Sequence, residues 1–458
     1  MSGPKVVRIV TREEIIEQCE SHLARLEAAV AEWIEVGRRN DLLSEDEILV
    51  TQGRLEKLKR LLREEHFAEL QKAVPTEIDF LRADQNERLL SAAAIKAAAK
   101  TMQRQTEAVA ASLLMTLKQT NKPLSPPLQQ ALEEAASGKA DGTTAISQAF
   151  ALLSQRSSPA ISDHQRQLAN ALKEGDDCQT FHQWLANQSL GQDDEILKKL
   201  DSQIAELAVL QGETAVMSFS DRLQQIDAQV QSAQRGVLID SLGIDLAQAI
   251  TKVRERNATQ GRLKMVAAEL TRSTSETAKP LLHKISNLMN NPTEILLALE
   301  KEARSILDRL RDDFAAQARR QAILKGLADL GYEVSEGLET AWVRNGKVVL
   351  KKVSQPGYGV EIAGKADSAR MQLRTVVISN TTAPLDANRS RAAEVIWCKE
   401  LSELQAQLAN AGGEIIIERA TPVGVMPLKV VPDTLHTNAD EFQEETLSAQ
   451  HRALNETK

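Results

Sequence analysis

The sequence predicts a mainly α protein, an elongated helical bundle with a coiled-coil-like stalk and a small C-terminal α/β domain. Three observations support this prediction. Aromatic residues make up 3% of the 458 residues, a composition that favours helices packed on one another. Apolar residues recur every three or four positions over most of the chain, which is the spacing of a buried helix face. After about residue 330, shorter β-like runs replace this spacing, and both tyrosines lie among them.

Residues 1–122 are predicted to form a helical hairpin and one long alanine-rich helix. After the β-like stretch Lys5–Val10, capping boxes that begin at Thr11 and Ser44 mark the starts of two helices. Gly37 is expected to end the first helix, because glycine commonly follows a last helical turn. Two helices joined by a short polar turn are expected to pack as an antiparallel pair.

Pro75 is predicted to interrupt the helical pattern, because proline lacks the backbone N–H that a helix interior needs. The long helix then runs from Thr76 to about Thr120, and its many alanines suit a central place in a bundle. The proline-rich stretch Lys122–Pro127 marks a linker. Residues 123–192 are predicted to be an insertion of short helices. Its breaks are Ser137–Thr143, Ser157–Ser162 and Glu174–Asp177.

Residues 193–325 are predicted to form the coiled-coil-like helical stalk. Apolar residues step by three and four along three stretches of it, as a coiled-coil seam requires, and the last stretch starts at Asn291-Pro292-Thr293. The seam residues are Leu197, Leu200, Ile204 and Leu207, then Leu223, Ile226 and Val230, and last Leu296, Leu299, Ala303, Ile306 and Leu310. Gln211 and Thr214 fall where the first seam would continue, so the helices are expected to fold back on each other. An ordinary helical bundle explains the same pattern equally well.

Residues 326–432 are predicted to form the α/β domain, and residues 433–458 an acidic tail with a weak helix over Ala439–Leu454. Asn345-Gly346 lies between two β-like runs and indicates a hairpin. One helix is predicted over Asn388–Asn410. The predicted strands are Tyr332–Leu338, Ala341–Arg344, Lys347–Val353, Tyr358–Ala363, Met371–Ser379, Ile415–Ile417 and Leu428–Val431.

Charge and cysteine content narrow the class of protein. A net charge of −8 produces no overall field that would attract nucleic acid or an anionic membrane. Three widely separated cysteines are too few for a disulfide framework. No apolar run reaches the roughly 18 residues of a membrane helix, and the best candidate, Ala108–Leu117, is flanked by basic residues. The start of the chain shows no signal segment, so we predict a cytoplasmic protein.

One phosphate-binding motif is partly present. Gly359–Lys365 matches the first seven positions of a P-loop. The motif needs Ser or Thr next, to hold magnesium, but Ala366 follows. It also needs a helix after the loop, whereas a polar turn and another strand are predicted here. We therefore interpret Gly359–Lys365 as a turn.

Two cysteine–histidine pairs have spacings found in zinc sites. Cys19 and His22 lie three residues apart, and Cys178 and His182 lie four apart. The first pair lies on or beside an apolar stripe and Cys178 lies at a helix start, where such residues commonly pack or cap, so no metal site is predicted. No nucleophile elbow, catalytic cysteine signature or dinucleotide fingerprint occurs. We therefore predict no catalytic residue, no cofactor and no enzymatic activity.

The strongest candidate surface lies in the predicted α/β domain. Cations on neighbouring predicted strands lie close to two aromatic residues, an arrangement that can hold a nucleic-acid strand or an acidic partner. This basic cluster consists of Trp342, Arg344, Lys347, Lys351, Lys352, Tyr358 and Arg374. The alternative interpretation is a charged sheet edge that discourages aggregation.

The predicted architecture favours a non-catalytic structural or adaptor subunit of a cytoplasmic multiprotein assembly. The stalk and the C-terminal domain would dock other protein subunits, and the stalk seams could also pair with a second copy of the chain. A nucleic-acid-associated component of a bacterial defence or chromosome-handling system is the first alternative. The second is a membrane-active protein that exposes Ala92–Leu117, although Lys96, Lys100 and Arg104 interrupt that segment.

Overall fold

A computed structural model describes residues 4–119, 125–139, 142–154, 192–227, 229, 233–273, 275–335, 337–364, 369–379 and 386–432. Helices dominate these residues, and strands from the C-terminal region build most of a six-stranded sheet. The predicted fold class, mainly α with a small α/β domain, is confirmed. The predicted breaks at Ser157–Ser162 and Glu174–Asp177, and the acidic tail with its weak helix over Ala439–Leu454, lie outside the described residues.

The helices bury apolar faces, as their sequence periodicity predicts. In chain order the described helices are α1 (Arg12–Arg39), α2 (Glu45–Arg63), α3 (Phe67–Gln119), α4 (Pro126–Ala136), α5 (Thr143–Ser154), α6 (Gln192–Gln211), α7 (Met217–Asp227), α8 (Ala233–Arg272), α9 (Ala278–Leu288), α10 (Thr293–Asp329), α11 (Leu338–Asn345) and α12 (Ala387–Asn410). A 3₁₀ turn, Glu213–Val216, connects α6 to α7.

Three helix starts agree with the sequence patterns that predicted them. Thr11 Oγ1 accepts a hydrogen bond from the Glu14 N–H at 3.3 Å, which satisfies a donor that the first helical turn leaves free. Helix α2 begins directly after Ser44. Helix α10 begins at Thr293, directly after Pro292.

Gly37 does not end α1, which continues to Arg39. Glycine is needed here for a different reason, because the Leu43 side chain occupies the space that a Cβ at Gly37 would fill. The Leu42 N–H also donates to the Gly37 carbonyl at 2.9 Å. Gly37 therefore lets the chain fold back onto the last turns of α1.

Pro75 does not interrupt the helix, since α3 runs unbroken from Phe67 to Gln119. A proline inside a helix removes one hydrogen bond, but packing of an apolar face supplies most helix stability in proteins. The flanking residues that supply such packing are Leu70, Val74 and Ile78, all buried. The predicted break is therefore wrong, because tertiary packing outweighs the local cost.

The chain divides into two compact units. The first consists of residues 1–32, 45–79 and 259–458, and the second of residues 33–44 and 80–258. In the second unit, one core cluster joins α6, α7 and α8, and another joins the end of α3 with α4 and α5. These clusters use leucine, isoleucine and alanine, in keeping with the low aromatic content of the chain.

The first predicted stalk seam is buried inside the second unit. Its residues Leu197, Leu200, Ile204 and Leu207 belong to the α6–α8 core cluster. The seam stops because α6 ends at Gln211 and Gly212 follows with a φ of 97°, a conformation that favours glycine. Gln211, the first polar residue at a position where the seam would continue, is thus the last residue of α6.

In the first unit, helices α9 and α10 pack on the end of α8. The core cluster between them includes Leu296, Leu299 and Ala303 of the last predicted seam, and Ile306 and Leu310 of that seam are partly buried against it. The seam residues therefore pack within the chain.

The sheet of the first unit has the order β2-β3-β4-β1-β5, and β6 also pairs with β4. The strands are β1 (Lys5–Val10), β2 (Lys347–Lys351), β3 (Tyr358–Ala363), β4 (Arg370–Ile378), β5 (Glu414–Ala420) and β6 (Lys429–Val431). The β4–β6 pair is parallel, and the other pairs are antiparallel. The strand β1 lies between β4 and β5, so the N-terminal end of the chain completes a sheet that the sequence assigned to residues 326–432.

The predicted hairpin at Asn345-Gly346 is wrong. Leu338–Asn345 forms helix α11 rather than a strand, and the predicted strand from Tyr332 forms only an isolated bridge to Lys352. Gly346 has a φ of 65° and its N–H donates to the Trp342 carbonyl at 2.8 Å. An Asn-Gly pair suits a helix end in the left-handed conformation as well as a hairpin, and here it ends a helix.

One face of the sheet is covered by α11, α12 and the end of α10. The core between them contains Trp342, Trp397 and Tyr332, together with leucines and β-branched residues of the sheet. Val7 and Ile9 of β1 are part of this core. Three aromatic residues that follow residue 330 therefore share one core, to which β1 and the end of α10 also contribute, whereas Tyr358 is half-buried outside it.

Candidate docking surface in the α/β domain

The structure does not place the seven residues of the basic cluster on one open surface. Trp342, expected as an exposed ring beside cations, is fully buried in the core. Helix α11 turns Leu338 and Trp342, one helical turn apart, towards that core. The expectation of an exposed ring is therefore wrong for Trp342, because the segment is a helix and not a strand.

Arg374 of the basic cluster is neutralised by a buried carboxylate. Its Nε donates to Oε1 of Glu361 at 3.0 Å, and Lys429 donates to Oε2 at 2.8 Å. Burial would raise the pKa of Glu361, but the hydrogen bonds from Lys429 and Arg374 outweigh it and hold the pKa below its ordinary value. Arg374 thus belongs to an ion cluster on the sheet.

Lys352 of the basic cluster is also paired. Its Nζ contacts Oε1 of the buried Glu400, and the Tyr332 hydroxyl donates to Oε2 at 2.6 Å. The same ammonium lies 5.2 Å from the centre of the Tyr332 ring, a cation–π distance. Burial lowers the pKa of Lys352 and raises the pKa of Tyr332. Through these contacts, Glu400 of α12 holds both Tyr332, which follows α10, and Lys352, which follows β2.

The remaining residues of the basic cluster differ in exposure. Arg344 and Lys347 are exposed, whereas Lys351 and Tyr358 are half-buried. Lys347 and Lys351 lie at the two ends of β2, so the face they share is short. A role for these residues in binding a partner or a polyanion stays a prediction.

The sequence predictions did not include an exposed apolar loop, Thr421–Leu428, that connects β5 to β6. Val425 and Met426 in this loop are 64% and 54% exposed. Loops at protein surfaces are usually built from glycine, proline and polar residues. Contiguous large apolar side chains in solvent are candidates for an interaction surface.

The loop is held against α12 by its backbone. The Gly424 N–H donates to Oε2 of Glu394 at 2.8 Å, and Glu394 is buried. Gly424 has a φ of 71°, in the left-handed region that favours glycine. A Cβ at this position would lie 2.8 Å from Nε of Arg391. Glycine therefore allows the loop to approach the helix this closely.

Helix α12, to which the loop is hydrogen-bonded through Glu394, also carries exposed apolar side chains. Val395 lies one helical turn after Arg391, so the two share a face, and Val395 and Ile396 are both exposed. Arg391 and Lys399, one turn before and after Val395, are exposed as well. We call the following four residues the apolar patch: Val395, Ile396, Val425 and Met426. Its rim on α12 is basic.

The sequence contains a signal for this patch. Pro422–Leu428 is a run of seven residues without a polar side chain. A short apolar run between turn residues fits a buried strand equally well, and the sequence pattern predicts a strand that starts at Leu428. Whether such a run is buried or exposed depends on the contacts of its neighbours, which a local pattern does not contain.

The P-loop-like motif does not form a loop. Gly359–Ala363 lie in strand β3, so the predicted turn is wrong for these five residues, although the predicted strand Tyr358–Ala363 is confirmed. Lys365 and Ala366 lie outside the described residues. The next described element is strand β4 and not a helix, so the backbone N–H groups of a helix start are not available for phosphate at this position.

The cysteine–histidine pairs form no metal centre within the part of the chain that the structure describes, where no group of three or more Cys, His, Asp or Glu side chains is placed to bind a metal ion. Cys178 and His182 lie outside that part. Cys19 is fully buried, and burial raises its pKa. Burial also lowers the pKa of His22.

His22 lines a cavity of about 310 Å³ with charged residues of α1 and α10. Arg25 and Arg311 on its wall both contact the buried Glu269, and Glu17 lies beside them. Burial, together with nearby carboxylates, raises the pKa of Glu17 although Arg272 opposes the shift. Charges of both signs line this cavity, so they select no particular class of ligand.

Among the described residues, no helix has the length and apolar character needed to cross a membrane. Comparison of the chain with protein-family models, with curated proteins and with solved structures finds no match.

Proposed function

We propose that this protein is a non-catalytic adaptor subunit of a multiprotein assembly, and that it docks a protein partner through the apolar patch. The patch is the observation that carries the proposal. Four large apolar side chains, from a loop and a helix in contact with each other, are exposed to solvent. Such a cluster favours association, because covering it removes apolar surface from water.

The rim of the patch indicates the chemistry of the partner. Arg391 and Lys399 supply positive charge beside the apolar side chains, while Glu394 is buried beneath the loop. An apolar centre with a charged rim is the usual anatomy of a protein interface. A segment that combines apolar residues with Asp or Glu would complement this surface and be steered towards it.

The nucleic-acid alternative has less support. Lys352 and Arg374 contact buried carboxylates, and Trp342 is buried and cannot stack on a base. Polyanion binding would then depend on Arg344 and the lysines of β2. Strongly salt-dependent binding would favour this second candidate.

The test is purification of the tagged chain from its native host, with and without nuclease treatment. The double substitution Val425→Glu and Met426→Glu places two charges in the patch. Val353→Glu is a matched control, because Val353 is 69% exposed in the turn after β2. We expect stoichiometric partners that survive nuclease, that are lost with the double variant and that are retained by the control.

Two outcomes would contradict the proposal. Equal recovery of the partners by all three chains would exclude the apolar patch as the docking surface. Partners that disappear after nuclease treatment would instead favour the nucleic-acid alternative.

A further inference from the structure

Lys5 of strand β1 directs its side chain towards helix α12. Lys5, Val7 and Ile9 alternate along the strand and are all buried, and Val7 and Ile9 contact the core that α12 helps to form. Lys5 Nζ lies 3.4 Å from Sγ of Cys398 on α12. The two residues are separated by 393 positions in the sequence, so only the fold brings them together.

The surroundings of Lys5 are unusual for a buried cation. Lys5 is only 4% exposed, and buried charged groups normally contact a group of opposite charge. Arg319 and Arg235, which are also buried, each contact a carboxylate. Among the described residues Lys5 contacts no carboxylate, and its amine donates a hydrogen bond to the thiol sulfur of Cys398 instead.

We propose that Lys5 and Cys398 form an oxidative modification site at which a peroxide creates a covalent bond between the lysine nitrogen and the cysteine sulfur. Cys398 is partly exposed, and the proposal requires that a small hydroperoxide reach its sulfur. The amine is already in contact with the atom that it would attack. The proposal is independent of the adaptor function.

The reaction has two steps. Hydrogen peroxide first oxidises the thiol to a sulfenic acid and is itself reduced to water. The Lys5 ammonium gives up one proton to water, the lone pair that this frees on nitrogen attacks sulfur, the S–O bond breaks, and the leaving hydroxide takes a second proton from the nitrogen to give a second water. The product is a sulfenamide, an S–N bond that thiols can reduce, in the way that sulfenic acids condense with backbone nitrogens.

The bond would tie the N-terminal strand to α12. A cross-link between residues far apart in sequence restricts the unfolded chain and thereby stabilises the folded one. Oxidation is therefore expected to raise the melting temperature of the wild-type chain, in contrast to the usual damage caused by oxidation of a core.

The test is peptide mass spectrometry on the full-length reduced protein after treatment with hydrogen peroxide. We expect a linked pair of peptides containing Lys5 and Cys398, lighter than their sum by two hydrogen atoms, about 2 Da, and separated again by a thiol reductant. Cys19 is the internal control, because it is fully buried and its contact is the Phe67 carbonyl. Its peptide should remain a free thiol.

Two further measurements keep the test decisive. Lys5→Arg retains the charge but replaces the amine with a weaker nucleophile, so Cys398 should then accumulate as sulfenic acid and the melting temperature should not rise. If that variant does not fold, dimedone added to the wild-type protein should trap the sulfenic acid and abolish the linked peptide. Oxidation of Cys398 without the linked peptide, or a Cys398 that resists peroxide, would overturn the proposal.

Discussion

Lys429 Nζ lies 2.8 Å from Oε2 of Glu361, although the two residues are on strands that do not pair with each other. Strands β6 and β3 both pair with β4, so the aliphatic stem of Lys429 crosses the face of β4. Arg374, on β4, donates to the other carboxylate oxygen. One buried carboxylate therefore joins three strands, and this is why Arg374 does not act as a surface cation.

Glu361→Gln is expected to lower the free energy of unfolding by about 1–3 kcal/mol, because two cations lose their buried counter-charge. Urea unfolding at neutral pH measures this loss. Glu418→Gln is the matched control, since Glu418 pairs with Arg370 on the more exposed surface of the same sheet, where an ion pair contributes less than about 1 kcal/mol. Equal losses in the two variants would contradict the prediction.

Glu361 is also expected to contribute to loss of stability in acid. Its pKa is lowered in the folded state, so the unfolded chain binds the proton first as the pH falls. The stabilisation is fully present above the unfolded pKa, about 4.3, and is lost as the pH falls through the folded pKa. The unfolding free energy of Glu361→Gln should therefore fall less than that of the wild type between about pH 5 and pH 3. Parallel curves would contradict this expectation.

Glu17 should show the opposite behaviour. Its pKa is raised, chiefly by burial, so the folded state binds the proton more tightly than the unfolded chain. Stability is then lost as the pH rises from the unfolded pKa through the folded pKa. Glu17→Gln is expected to stabilise the protein at neutral pH relative to the wild type, with no gain in acid, as measured by thermal unfolding at both pH values. A gain that does not change with pH would show that ionisation of Glu17 is not its cause.

Trp342→Ala is expected to lower the free energy of unfolding by about 3–5 kcal/mol, because it leaves a large cavity in the core under the sheet. Val343→Ala, at the next position of α11 but exposed, should change it by less than about 0.5 kcal/mol. Denaturant unfolding distinguishes this structural role from the binding role that the sequence suggested for Trp342. A stable Trp342→Ala protein would contradict the buried position.

Two glycine substitutions should have opposite signs. Gly346→Ala is expected to destabilise the protein by about 1–2 kcal/mol, because Gly346 has a φ of 65° and an L-residue is strained there. Gly53→Ala, inside α2 with no atom near its Cβ position, should stabilise it by about 0.5–1 kcal/mol. Thermal unfolding of both variants, in the same buffer, provides the comparison. The same sign in both would show that backbone conformation does not determine the effect.

Several elements could be predicted from the chain because their causes are local. The starts of α1, α2 and α10 follow from capping residues and proline within a few positions of each helix. Strand β3 follows from a short run of β-forming residues. The predicted strand over Ala341–Arg344 failed because Asn345-Gly346 is compatible with two kinds of turn, and the choice depends on where Trp342 is buried.

The candidate surfaces were harder to predict than the elements. The basic cluster could be recognised by residue type, but the buried Glu400, far from Lys352 in sequence, neutralises that lysine. The apolar patch needs both α12 and the loop held to it through Glu394 and Gly424. Nothing in the spacing of Glu394 and Gly424 along the sequence predicts that these two residues are in contact.

Helix periodicity, capping residues and low aromatic content were sufficient to predict a mainly α chain with a separate α/β region, since these signals act between residues close in sequence. Tertiary contacts decided that Lys5–Val10 lies between β4 and β5, that Trp342 is buried, and that Val425 and Met426 are exposed. The reason is physical. Strand pairing and burial depend on contacts between segments that lie far apart in the sequence, such as β1 and β5. The free energy of these contacts is gained only when the fold brings the segments together.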